Sequence, residues 1–129
     1  MKVLIKILVA GTLFLVLFIG SCKKQPKCGC DGDVIKELED FPVHLYYDTI
    51  NNSAWFQPVS NPMSTYNFCN ISEHMDELKK YESGSYMLVS GSVYWECNYL
   101  MRASNNPYQS YYKAFMIDVT DVYEDLYGK

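Results

Sequence analysis

The chain has 129 residues, enough for one domain with one modest core. Aromatic residues make up 16% of it, with twelve tyrosines, and that composition argues against disorder. From Cys28 onward fifteen acidic side chains face six basic ones, so the domain repels phosphate backbones and nucleic acid is not an expected partner.

The chain opens on a positive start, Met1-Lys2 with Lys6, followed by an uncharged run of 14 residues from Ile7 to Gly20. A bilayer-spanning helix needs about 20 apolar residues, so this run has the length of a signal-peptide core instead. It closes on Ile19-Gly20-Ser21-Cys22. An aliphatic residue, two small residues and a cysteine resemble a bacterial lipobox, in which small residues fit a narrow protease site and the thiol accepts a diacylglycerol. The resemblance implies a lipoprotein signal peptide over 1–21, a lipidated tether over 22–32 with the lipid on Cys22, and a globular domain over 33–129. Two or three acyl chains, at about 0.8 kcal/mol per buried methylene, hold such a protein on a membrane. An ordinary cleaved signal or an uncleaved anchor helix is the alternative.

Lys23-Lys24-Gln25-Pro26-Lys27 follows as a short basic tether, suited to an anionic headgroup surface or to a solvated spacer. No Asp follows Cys22, so the inner-membrane retention signal of proteobacterial lipoproteins is missing. No acidic pair follows either, unlike surface-exported lipoproteins of Bacteroidota. The resemblance therefore implies an outer-membrane protein facing the periplasm. Tyr- and Asn-rich composition and the Cys-Lys-Lys start are similar to small lipoproteins of that phylum. Asp48-Thr49-Ile50 is similar to the sequence that Bacteroidota O-glycosylate on exported proteins, which makes Thr49 a candidate acceptor. Asp48, Thr49, Asn51 and Asn52 also suffice to make a turn by themselves.

The elements follow in order. Val34–Leu38 reads as a short strand, interrupted by Asp40, Phe41 and Pro42. Val43 to Asp48 alternates, with Val43, Leu45 and Tyr47 on one face. Asn51-Asn52-Ser53 turns the chain into a strand at Ala54–Gln57. Ser60-Asn61-Pro62 is another turn, and Ser64 to Cys69 is strand-like with Tyr66 and Phe68 on one face. A helix follows. Asn70 or Ser72 caps it, and Asn70-x-x-Glu73 resembles a capping box; Asn70-Ile71-Ser72, formally a glycosylation sequon, is better taken as this helix start. Ile71, Met75 and Leu78 make its apolar stripe, Lys79 and Lys80 occupy its last turn, and Gly84 stops it.

Tyr86 to Asn98 is the longest strand, with Met87, Val89, Gly91, Val93, Trp95 and Cys97 on one face in unbroken period two. Gly91 allows a sharp bend at its middle. A loop from Tyr99 to Gln109 leads to the last strand, Tyr111 to Tyr123, with Phe115, Ile117 and Val119 on one face. Strands, one helix between a third and a fourth strand, and a long strand bent at glycine resemble the OB-fold, a small antiparallel Greek-key barrel. The count of four short runs before the helix, against the three of that fold, leaves an open antiparallel sheet with one packed helix as the alternative.

Besides Cys22 there are four cysteines, Cys28, Cys30, Cys69 and Cys97, a number that suggests disulfides in a small exported domain. A Cys28–Cys30 bridge closes a strained ring. The expected bridge is Cys69–Cys97, with Cys28 and Cys30 free or paired elsewhere. Cys28-Gly29-Cys30 has neither the spacing of zinc ligands nor that of a thioredoxin motif. Soft Cu(I) is the metal alternative, with Met63 or Met101 as a third ligand; no metal and no cofactor is the expectation.

No H-E-x-x-H, G-x-S-x-G or glycine-rich phosphate loop occurs, and His44 and His74 stand apart from any nucleophile, so catalysis is not expected. The expected role is a non-catalytic binding module. Tyr99, Arg102, Tyr108 and Tyr111 are its candidate ligand residues, because aromatic planes with one fixed cation suit a sugar, a peptide or a carboxylate. Strand-filling tyrosines and a solvated arginine explain the same residues without a ligand. A structural subunit of an outer-membrane complex is the other class, with an envelope protein as partner.

Overall fold

The computed structural model describes residues 27–102 and 111–125. The leader, Cys22 and Tyr108 lie outside the described residues. The elements are β1 (Val34–Asp48), β2 (Ser53–Pro58), β3 (Ser64–Phe68), α1 (Ile71–Leu78), β4 (Ser85–Arg102) and β5 (Tyr111–Glu124). The strands close into a barrel in the order β1-β2-β3-β5-β4, with β4 pairing back onto β1. β3 and β5 run parallel, and every other pair is antiparallel. This is a small OB-like barrel, and its closure rules out the open sheet.

The interrupted early strand is in fact one. Leu38 pairs with Gly91 and Phe41 with Val89, so β1 carries one residue more than β4 between those rungs. That bulge absorbs the apparent break. Asp40 sits in it at φ 46°, and its N–H donates to Ser90 Oγ at 2.9 Å. Tyr123 holds the other side, its hydroxyl donating to Asp40 Oδ1 at 2.5 Å. The proline, which lacks a donor, falls beside the bulge, where a strand tolerates it. Three strands then precede the helix, as the barrel requires.

Period two sets the interior. Val43, Leu45, Phe56, Met87, Val89, Val93 and Ile117 are fully buried. Cross-strand partners stack through the middle: Phe56 on Tyr66 and Tyr66 on Phe115, both at 4.8 Å between ring centroids, then Phe115 against Trp95 at 5.2 Å. Followed around the barrel, the ladder leaves β1 at Leu45 and returns to it near Val34. That stagger is the tilt a closed sheet needs. A second bulge, where Ser90 faces Asp121 but Gly91 faces Val119, lets both Val119 and Val122 point inward.

α1 plugs the barrel with Met75 and Leu78. The expected capping box is absent: Asn70 stands at the N-cap, but its side chain makes no cap bond. Its amide instead pairs with β5 like an added strand residue, donating to the Val119 carbonyl at 2.8 Å and accepting from the Val119 N–H at 3.1 Å. Lys79 and Lys80 follow the last turn rather than lying in it, and their N–H groups close the helix on Met75 and Glu77. Gly84 is not the stop. It turns the chain into β4 at φ 94°, with its N–H on the Leu45 carbonyl.

The cysteine pairing differs from expectation. Cys28 bonds Cys97 and Cys30 bonds Cys69, with Cα–Cα distances of 5.0 and 5.7 Å. A Cys69–Cys97 bridge fails because β5 lies between β3 and β4. Two strand spacings are about 10 Å, beyond the roughly 7 Å that a disulfide spans. Gly29, at φ 85°, lets the chain turn so that its two neighbours reach different partners, and its N–H donates to the Trp95 carbonyl.

Candidate functional site

The outward positions of β1 and β2 build an aromatic platform. Burial of Val43 and Leu45 turns His44 and Tyr46 outward, and burial of Ala54 and Phe56 does the same for Trp55 and Gln57. Register then sets them side by side: Tyr46 opposite Trp55, His44 between Gln57 and Tyr86, and Trp55 beside Asn67. The rings of Tyr46 and Trp55 stack at 5.9 Å and 15°, while Tyr86 meets His44 edge-on at 6.1 Å. Gly84 lies against the Tyr46 ring, which a Cβ there would meet in ordinary contact at 3.4 Å. None of these six side chains is an acid, a lysine or an arginine, on a domain that is otherwise strongly acidic. Flat apolar faces flanked by amides can take the apolar side of a sugar ring while bonding its hydroxyls.

The β1–β2 turn borders the platform. Asp48 Oδ1 accepts from the N–H groups of Ile50 and Asn51 at 2.8 and 3.2 Å, and the Asn51 amide donates to Oδ2. These bonds, the Asn51 side chain first, hold the Asp48 carboxyl below its ordinary value. The turn lifts Thr49 into solvent beside Ile50, which is 93% exposed.

The tyrosine-arginine group of the expected loop is placed differently. β4 continues through Tyr99 to Arg102, so both lie on a strand. Arg102 pairs with Tyr111, Met101 with Tyr112 and Leu100 with Lys113. Arg102 and Tyr111 are thus brought opposite each other on paired strands, whereas Tyr108 lies outside the described residues.

Several other chemistry-bearing groups have structural work. His74 Nε2 lies 2.9 Å from the Val119 carbonyl, which calls for the tautomer protonated there. The Ser92 hydroxyl donates to both Glu37 oxygens. Asp40, bonded by the Tyr123 hydroxyl, raises that phenol above its ordinary range. Among the described residues no three His, Cys, Asp or Glu side chains converge on a metal position. Cys28 and Cys30 are both oxidised, which removes the thiolates that a Cu(I) site needs. Comparison with known protein families and with curated proteins finds no match. The sequence alone does not mark the platform. Alternation marks His44 and Tyr46 as outward, but their meeting with Trp55 and Tyr86 depends on pairing.

Proposed function

We propose that the chain is a lipid-anchored bacterial envelope protein whose barrel is a non-catalytic binding module, with a glycan as the preferred ligand. The observation that carries the binding role is the uncharged Tyr46–Trp55 stack between Asn67, Gln57 and His44. The anchoring rests on Ile19-Gly20-Ser21-Cys22 after a short apolar run. From Cys22 to the bridged Cys28, six residues reach at most about 20 Å, so lipid on Cys22 keeps the barrel close to the outer membrane. A lipid-tethered subunit of an envelope complex is the second reading, favoured by the Arg102–Tyr111 pair.

The test is a glycan and peptidoglycan-fragment array. The double variant Tyr46→Ala, Trp55→Ala is expected to weaken binding to each hit about tenfold or more, the equivalent of one lost hot spot. The double variant Arg102→Ala, Tyr108→Ala asks the same of the tyrosine-arginine group. Hits unaffected by both pairs contradict glycan recognition by this barrel, and a protein co-purifying from solubilised outer membrane then favours the subunit.

A further inference from the structure

Lys36 is out of keeping with its surroundings. Acids outnumber bases more than two to one from Cys28 onward, yet the ion pair found among the described residues joins Lys79 to Asp76 and does not involve Lys36. Its ammonium turns to the end of the aromatic stack instead. Nζ donates to the Tyr66 hydroxyl at 2.7 Å and lies 5.0, 5.5 and 5.9 Å from the ring centroids of Tyr66, Phe115 and Phe41. Lys36 is exposed and Phe41 half-buried, whereas Tyr66 is only 3% exposed.

The donor count is unbalanced here. The phenol oxygen accepts from Lys36, so the Tyr66 O–H proton is left over, and it meets no acceptor among the described residues. Lys36 is exposed, so its other two ammonium hydrogens are open to water or to an anion that replaces it. A part-buried hydroxyl without an acceptor is costly. Several donors and a positive charge converging on one point, without a carboxylate to answer them, form a receptor for an anion. The rings hold the ammonium in place, so little ordering is needed when the anion arrives.

We infer that Lys36 and Tyr66 bind the carboxylate of a small amphipathic acid whose apolar body lies on Phe41. One carboxylate oxygen takes an ammonium hydrogen and the other takes the phenolic hydrogen. The acidity of the rest of the domain selects against polyanions but is screened beyond about 8 Å, so a single carboxylate at contact distance is accepted. This site is independent of the outer platform and of the lipid.

Phenylacetate is the probe, titrated into the purified, oxidised protein and followed by NMR at Lys36, Phe41, Tyr66 and Phe115. Saturable shifts at these residues are expected. Lys36→Gln should weaken binding about tenfold or more, the equivalent of one charge-assisted hydrogen bond, and Tyr66→Phe severalfold. Phenylacetamide, the uncharged isostere, should not saturate the site. No saturable shift with phenylacetate, equal binding of the amide, or full affinity in Lys36→Gln overturns the inference. If Lys36→Gln does not fold, the acid-against-amide comparison on the unaltered protein decides.

Discussion

Removing either disulfide is expected to destabilise the barrel by about 2–4 kcal/mol and to lower its melting temperature by roughly 10–20 °C. Cys28–Cys97 and Cys30–Cys69 join residues 69 and 39 apart in sequence. Restricting loops of that length in the unfolded chain is worth about 4 kcal/mol each in the chain-entropy account, before strain is deducted. The two loops are nested, the second lying inside the first, so losing both should cost less than the sum. The effect is large because the domain is small and its contacts are distant in sequence. The bridges also fasten residues 27–33, otherwise held to the barrel chiefly by the Gly29 N–H on Trp95. Thermal melts of Cys28→Ser, Cys97→Ser and of Cys30→Ser, Cys69→Ser against the oxidised protein measure this. Melting points unchanged in both would refute it. Trypsin tests the pairing against the Cys69–Cys97 alternative. Cleavage after Lys27 and Lys36 puts Cys28 and Cys30 on one peptide, which must carry both partner peptides; a Cys69–Cys97 bridge would release it.

Gly91→Ala is expected to destabilise the protein by about 3 kcal/mol or more, the size reserved for a backbone clash in a closed core. Gly91 is buried where β4 crosses β5, opposite Leu38 on one side and Val119 on the other. A Cβ there would lie 2.3 Å from the Asp118 carbonyl oxygen, 3.0 Å from Val119 Cα and 3.1 Å from the Asp118 carbonyl carbon. All three are backbone atoms, which cannot swing aside as a side chain can. β4 must then part from β5, and the ladder that closes the barrel opens. Ser92→Ala is the control. Among the described residues its hydroxyl bonds only the exposed Glu37, and the change should stay within about 1 kcal/mol. Urea unfolding of both variants measures the difference, and a Gly91→Ala protein as stable as the control contradicts this view of the crossing.

These two effects also mark where the sequence could be followed and where it could not. The inward face from Met87 to Val93 is visible in period two alone, whereas the register shift against β5 at Gly91 is not. The helix at Ile71–Leu78, whose stripe includes the buried Met75 and Leu78, is visible as well. The continuity of β1 was not visible, because the bulge at Asp40 is fastened by Ser90 and Tyr123, far along the chain. The cysteine partners were hidden for a similar reason: they depend on β5 lying between β3 and β4, a sheet order that no local pattern encodes. Asn70 was legible as a helix start but not as the partner of Val119. The same limit applies to the sites. Tyr46 and Trp55 each read as outward strand residues, and only register stacks them. Lys36 reads as a polar strand position, and only closure brings Tyr66 and Phe115 beneath it.

Intact-mass spectrometry of the protein extracted from membranes of the native bacterium tests the proposed envelope role most directly. The expected mass is that of a chain starting at Cys22, with two or three acyl chains on that residue and both disulfides formed. A chain that still carries residues 1–21, or one that starts at Cys22 with a bare thiol, contradicts it.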